Sequence, residues 1–398
     1  MNRSIVCEPL NMDWAAMKMP ERALFDEALA YSVEKVRGNL GEYTDQFLSP
    51  AGKNNNYWPE DNVDWTNGFW SGMIWIAYAL TEDEQFLRSG RIHSESFKKR
   101  LEQDVVLQHH DIGFLYTPSC VADYKLTGDT TARDTAIAAA NRLARLYRPV
   151  PGIIQRGGDM ADLSHRFTGI FIVDCLMNIP LWYWAAEETG NKDWQEMAYQ
   201  HAKNSLIALV QDNGAVVQHG HADVRTGELT CDPEASQGKG GWDACWSRGQ
   251  AWAMYGFALS YSYTKDRRFL EAAQCLTNYY LNRLPDDLIA NWDLAYTEDD
   301  AQRDTSAASI AICGMLELAS QLPIYDDYKR TLESAALKML ESLTRKYLTT
   351  KEESSNALLK GGVYAYRIDN GINEPCVWGD YYYMEALWRV LRPFNRFW

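Results

Sequence analysis

The 398-residue chain lacks long hydrophobic runs. No stretch approaches the roughly 20 apolar residues that a bilayer-spanning helix needs, and the opening MNRSIVCEPLNMDWAAMKMPE contains no apolar signal core. Positive charge is scarce as well. Thirty-nine Lys and Arg face 54 Asp and Glu, for a formal net charge of −15. That field repels nucleic acid and anionic membrane, so neither is expected as a partner, and an anionic ligand would need a local basic group. The eight cysteines include no C-x-x-C pair, and several fall within apolar helical patterns. They read as reduced core residues of a cytoplasmic protein, not as a disulfide or zinc framework. Metal and cofactor signatures are missing too. The seven histidines cluster only at His109/His110 and His219/His221, with no H-E-x-x-H. Gln237-Gly238-Lys239-Gly240-Gly241 is neither a P-loop nor a dinucleotide fingerprint and reads as a mobile loop. No G-x-S-x-G elbow occurs, and no metal or cofactor is expected.

What the chain does have is a 46% apolar composition and one recurring join. An apolar helix runs into a short T-G-D-like turn, and a more amphipathic helix follows. The join occurs in WIAYALTEDEQFL (75–87), VADYKLTGDTTARD (121–134), LWYWAAEETGNKDW (181–194) and ALSYSYTKDRRFL (258–270), with a degenerate copy at 316–328. Uneven spacing of one repeated join predicts helical hairpins whose variable loops lie at their other ends. In 131–147, Ala136, Ala140, Leu143 and Tyr147 share one face. The helices before the joins are apolar nearly all round, which predicts burial on every side. With a first helix near 21–38 and a last near 381–391, the count is six inner and six outer helices. This is an all-α, (α/α)6 toroid in one domain over 1–398 (core about 20–393), with short β-hairpin insertions in 211–230. An open solenoid would show regular repeats and polar caps.

The loops joining one hairpin to the next carry aromatics beside Asp, Asn, Gln or Arg. Fifteen tryptophans are present, and Trp65, Trp70, Trp242, Trp246, Trp252, Trp292 and Trp378 fall where inner helices begin. Sugar rings present apolar C–H faces with hydroxyls at their edges, so flat aromatics with placed polar groups suit a glycan. Asp111 precedes an apolar helix entry, where an N-cap is the plainer reading. Asp174 lies inside the apolar run Gly169–Met177. Burial there raises a carboxyl's pKa, a nearby carboxylate raises it further and a helix N-terminus opposes, which points to general acid–base work. A cap bonded to backbone is the alternative.

At these loops the chain resembles the unsaturated glucuronyl hydrolases, glycoside hydrolase family 88. The resemblance is carried by Trp65-Thr66-Asn67-Gly68-Phe69-Trp70-Ser71-Gly72, His110-Asp111-Ile112-Gly113-Phe114 and Ile172-Val173-Asp174-Cys175-Leu176-Met177-Asn178. It continues through Cys245-Trp246-Ser247-Arg248-Gly249-Gln250-Ala251-Trp252 and Trp378-Gly379-Asp380-Tyr381-Tyr382-Tyr383-Met384-Glu385-Ala386-Leu387. It implies a metal-free (α/α)6 barrel that removes a 4,5-unsaturated uronic acid from the non-reducing end of lyase products, a disaccharide above all. In the implied route an aspartic acid protonates C4, water adds at C5 and the hemiketal opens. By motif match that residue is Asp174, with Asp111 as the second essential aspartate. Trp65, His110, Asn178, His219, Gln237, Arg248, Trp252 and Trp378 are then the substrate-contacting set. Arg248 also makes independent sense as the cation an anionic uronate needs.

Two segments depart from the family pattern. Where relatives often place an aromatic after an Ile-Gln pair, this chain has Ile154-Gln155-Arg156 followed by an enlarged 157–167 loop. Relatives acting on sulfated glycosaminoglycan fragments carry Ser-x-x-Ser-x-Lys; here those positions are Ala365, Ile368 and Asn370, which favours unsulfated or weakly sulfated substrates. The rival readings are an unsaturated rhamnogalacturonyl hydrolase of the sister family, a sugar epimerase needing histidine pairs on inner helices, and a non-catalytic glycan-binding ring. A monomer or weak homodimer is expected.

Overall fold

The computed structural model describes residues 5–298, 301–350 and 354–398. The helices are α1 (Arg22–Tyr43), α2 (Asn67–Thr81), α3 (Glu84–Glu102), α4 (Ile112–Tyr116), α5 (Ala122–Thr127), α6 (Thr130–Ala144) and α7 (Pro180–Thr189). After them come α8 (Lys192–Leu209), α9 (Ser247–Thr264), α10 (Arg267–Leu281), α11 (Thr305–Ser320), α12 (Asp327–Ser342) and α13 (Val377–Leu391). Helices α4 and α5 are one inner element, interrupted by a π turn at Thr117–Val121. Pro118 lies inside that turn; without an N–H it cannot continue the α ladder. The inner elements α2, α4/α5, α7, α9, α11 and α13 contact one another in that order, and α13 returns to α2 to close the ring. Outer helices α1, α3, α6, α8, α10 and α12 surround it, giving the expected (α/α)6 arrangement.

Burial follows the sequence pattern. Every residue of α2 from Asn67 to Ala77 and of α9 from Ser247 to Ser260 is buried, whereas α3 and α10 keep a wet face. Helix α6 ends at Ala144, earlier than the apolar stripe suggests, because Tyr147 pairs with Ile154 across a short ladder.

The four joins share one set of bonds. Thr81, Thr127, Thr189 and Thr264 each donate to the carbonyl four residues back, at 2.6–2.9 Å. The next residue is left-handed: Glu82 (φ 56°), Gly128 (φ 75°), Gly190 (φ 74°) and Lys265 (φ 55°). Asp83, Asp129, Asn191 and Asp266 then cap the following helix by accepting from its first-turn N–H groups. Each join thus ends one helix and starts the next within three residues.

Among the described residues, nine short strands decorate the ring: β1 (Phe47–Leu48), β2 (Pro59–Glu60), β3 (Tyr147–Arg148), β4 (Ile153–Ile154), β5 (Ile170–Ile172), β6 (His219–Ala222), β7 (Leu229–Asp232), β8 (Gly362–Ala365) and β9 (Asn370–Glu374). The hairpin expected in 211–230 is β6–β7, and β5 adds to it with Ile172 opposite His219. A Cβ on Gly220 would lie 2.3 Å from the Phe171 ring, so glycine lets that ring cross the sheet. No helix among the described residues is long and apolar enough to cross a membrane.

The joins make a stability prediction. Asp129→Ala removes a cap and is expected to destabilise by about 1 kcal/mol. Lys265→Gly relieves a left-handed side chain and is expected to raise stability by up to about 1 kcal/mol. Thermal melts of the two variants should shift in opposite directions.

Candidate active site

The N-terminal ends of the inner helices carry the candidate residues. Trp65 precedes α2, Asp111 precedes α4, Arg248 lies in the first turn of α9 and Trp378 in that of α13. Asp174 lies in the 3-10 turn Val173–Met177 that leads into α7.

Asp111 occupies the N-cap position of α4, yet its side chain makes no cap bond. Its carboxylate faces two imidazoles instead: Oδ1 lies 3.0 Å from His110 Nε2 and Oδ2 3.2 Å from His109 Nδ1. His110 Nδ1 lies 3.0 Å from the Arg156 carbonyl, and the His110 N–H donates to that same oxygen at 3.1 Å. His110 Nε2 thus faces the Asp111 carboxylate as an electrostatic contact without an aligned hydrogen bond. Burial opposes protonation of the ring, but the Asp111 carboxylate, and Asp174 more weakly, raise the His110 pKa. Burial likewise works against Asp111 ionising, and the two histidines overcome it, holding its carboxyl well below the usual range.

Asp174 is treated in the opposite way. Its Oδ1 is buried with no hydrogen-bond partner. Burial pushes its carboxyl up to about 6; His110 and Arg248 pull down and the Asp111 charge pushes up. Asn178, fully buried, ties the two aspartates together: its Oδ1 accepts from the Phe114 N–H at 2.8 Å and its Nδ2 donates to the Asp174 carbonyl at 3.1 Å. Gly113 lets these segments meet, since a Cβ there would lie 2.4 Å from the Asn178 Cα. With its side chain so engaged, Asn178 positions the aspartates.

Arg248 is buried and within electrostatic reach of Asp174. Its Nη1 donates to the Val363 carbonyl, its Nη2 donates to that of Tyr364 at 2.7 Å, and Nη1 lies 3.5 Å from Asp304 Oδ2. The guanidinium stands 4.5 Å over Trp246 and 4.8 Å over Trp378; Nε is buried without a partner. Trp378 stacks on Trp65 at 5.2 Å, and Trp65 Nε1 donates to the Tyr364 hydroxyl at 3.0 Å. Trp65 is half-buried, whereas Trp252 and Trp378 are fully buried with unpartnered indole N–H groups. Trp252 packs on Phe114 at 5.0 Å. Trp70 is a core residue that donates to the Tyr43 carbonyl.

His219 sits on β6 with Nε2 3.4 Å from Arg156 Nη1. Burial pushes its pKa down to about 4, and Arg156 adds to that. Gln237 is reached through its neighbour in the sheet: its N–H donates to Gln218 Oε1 at 2.6 Å. The glycine-rich loop around it is pinned, against the mobility expected from its composition. The Lys239 N–H donates to Asp293 Oδ2 at 2.8 Å, and Arg367 Nη1 donates to the Glu234 and Ser236 carbonyls. His109, Arg156, Gln218 and Asp304 lie against these residues. The sequence signalled His109 by its place beside His110, Gln218 by its place beside His219 and Arg156 through the departing 154–167 segment, whereas Asp304 carried no signal. Among the described residues no group of three or more His, Cys, Asp or Glu is placed to hold a metal ion.

Asp174 carries a stability cost with a definite sign. An unfolded Asp ionises near 3.9, and this one near 6. Between those values the folded chain keeps a proton that the unfolded chain gives up. Stability therefore falls as pH rises through that window, and the penalty, on the order of 3 kcal/mol, persists above it. Asp174→Asn removes the penalty and is expected to melt higher than the parent at pH 7.5, with little difference at pH 4.

The family model described as Glycosyl Hydrolase Family 88 matches residues 42–390. The chain is 36% identical to the unsaturated chondroitin disaccharide hydrolase of Streptococcus pyogenes serotype M1, over 100% of this chain and 99% of that one. It is 35% identical to the unsaturated glucuronyl hydrolase of Bacillus sp. (strain GL1), over 94% and 99%. The crystal structure of the unsaturated glucuronyl hydrolase from Streptococcus agalactiae superposes with a TM-score of 0.94 at 34% identity, covering 99% of each chain. With that match in sequence and in fold, the chain belongs to glycoside hydrolase family 88.

Proposed function

We propose that the protein removes the 4,5-unsaturated uronic acid from the non-reducing end of disaccharides left by polysaccharide lyases, by hydrating the vinyl ether. The observation that carries this reading is the unequal pair of carboxyls. Asp111 is held ionised by two histidines, while Asp174, with a buried and unpartnered Oδ1, keeps its proton up to about pH 6. Such a pair supplies one proton carrier and one fixed anion, which is what the hydration needs.

In this route the Asp174 carboxyl gives its proton to C4, and the positive charge formed at C5 is shared with the ring oxygen. Water attacks C5 and surrenders a proton to the Asp174 carboxylate, which restores the acid. The resulting hemiketal opens and the remaining sugar leaves, with one water consumed. Asp111 holds sugar hydroxyls as an acceptor. Trp65, half-exposed at the mouth, offers a face to the sugar. His219, Gln237 and Arg248 fix the uronate from β6, the pinned loop and α9.

The relatives' names point to unsaturated chondroitin and glucuronyl oligosaccharides as the substrate class. On the β8–β9 wall Ala365 is buried, Ile368 is exposed and apolar, and Arg367 is spent on backbone carbonyls. The sugar facing that wall therefore carries no sulfate. Eight cysteines without a C-x-x-C pair fit a cytoplasmic setting.

Incubation with the unsaturated, unsulfated chondroitin disaccharide is expected to abolish its ultraviolet double-bond absorbance. Asp174→Asn should lose roughly 10²–10⁴-fold in kcat while still binding the disaccharide; undiminished turnover would sink the mechanism. Because the first step needs protonated Asp174, kcat/KM should fall as pH rises through about 6. His110→Gln removes a cation that favours ionised Asp174, so its alkaline limb should move upward.

A further inference from the structure

The 154–169 segment is the part of the site that the proposed reaction leaves unused. Gln155, fully buried, staples the base of this insertion: its Nε2 donates to the Gly157 carbonyl at 2.9 Å, and its Oε1 accepts from the Gly169 N–H at 3.1 Å. The backbone of Arg156 is locked from both sides. Its N–H donates to the Ile170 carbonyl of β5 at 2.7 Å, and its own carbonyl takes both bonds from His110. The side chain thus starts beside the Asp111–His110 pair and reaches His219 at 3.4 Å.

A guanidinium can only donate, so His219 Nε2 accepts and the His219 ring is neutral. That contact leaves the Arg156 charge uncompensated. Arg166 doubles it: both guanidiniums lie over the Phe167 ring, Arg156 at 4.8 Å and Arg166 at 4.5 Å. The two guanidiniums contact His219, for Arg156, and the Phe167 ring, for both, in a chain with 54 acids and a net charge of −15. Arg156, half-buried beside a site for an anionic sugar, and the exposed Arg166 against the same ring give this segment a local positive charge suited to an anion. Its planar donors match tetrahedral oxyanions, and Phe167 fixes them in place.

We propose that Arg156, supported by Arg166 and Phe167, is a specificity-determining residue that binds a sulfate ester of the substrate, on the β5–β6 wall and away from β8–β9. This rests on the unsaturated uronyl hydrolase reading above. A carboxylate from a further uronic acid in a longer oligosaccharide offers similar chemistry, and the experiment separates the two sources.

The measurement is kcat/KM, by loss of double-bond absorbance, for the unsulfated unsaturated chondroitin disaccharide, its monosulfated isomers and the unsulfated tetrasaccharide. Parent, Arg156→Gln and Arg156→Lys enzymes are compared. For one monosulfated isomer the ratio to the unsulfated disaccharide should fall at least tenfold in Arg156→Gln, through KM, with Arg156→Lys in between. Ratios taken within one variant cancel any folding defect. The proposal is overturned if every sulfated-to-unsulfated ratio stays within threefold of the parent, or if only the tetrasaccharide ratio falls. Loss of absorbance with none of the substrates would overturn the hydrolase reading and this assignment with it.

Discussion

The contact between Asp111 Oδ1 and His110 Nε2, 3.0 Å long and almost closed to solvent, decides which carboxyl of the site carries the proton. Two carboxylates in one buried pocket cannot both ionise cheaply. A symmetrical pair would share one proton and give neither residue a settled role. Here the symmetry is broken from outside, because the Asp111 carboxylate and the Arg156 carbonyl raise the His110 pKa against the cost of burial. Asp111 takes the negative charge. Asp174, left with burial and the field of its neighbour, keeps its proton up to about pH 6. The acid and the anion are both aspartate, and their difference is made by what surrounds them.

That arrangement needs α4 and the 173–177 turn to approach more closely than ordinary side chains permit. Gly113 lies against the Asn178 backbone and Gly68 against the Phe114 carbonyl, where a Cβ would come within 2.4 and 2.0 Å. Asn178 then uses both ends of its amide to register the two segments. The ring supplies the rigidity. Helices buried on every side cannot rotate without exposing apolar surface, and Phe114, packed on Trp252 and Trp65, transmits that rigidity to the residues beside Asp111. The residues that hold the geometry thus include several without reactive groups.

What the sequence made legible was local. The joins could be read because their bonds run between residues no more than four apart, and the inner helices because burial on all sides leaves no polar stripe. Asp174 was conspicuous as a charge inside an apolar run. Asp111 was visible from its own neighbourhood only as a cap, and as an essential aspartate only through the family resemblance, because nothing local shows that its carboxylate turns away from its helix toward His109 and His110. The hidden parts are those whose partners are distant in the chain. Arg156 reaches His110 and His219, Arg248 meets Asp304, and the 234–241 loop is held by Gln218, Asp293 and Arg367. Glycine content suggested mobility for that loop, and tertiary bonds overrode it.

An acidic protein that takes an anionic sugar must reverse its own field over a few ångströms. At physiological salt, charges beyond about 8 Å are largely screened, so the surface excess of acid matters less than the groups lining the pocket. Arg248 is only a partial answer. Asp304 lies 3.5 Å from it, and two backbone carbonyls take its amino protons, so its attraction is short in range and aimed through what remains of the guanidinium. Buried pairs of this kind fix geometry more than they contribute net charge. Arg156 is the converse: half-buried, tethered to a neutral histidine and an aromatic ring, with its charge uncancelled. In the proposed reading Arg248 orients the ligand and Arg156 supplies the local positive potential, which puts the insertion that distinguishes this chain from the family pattern where substrate charge is read.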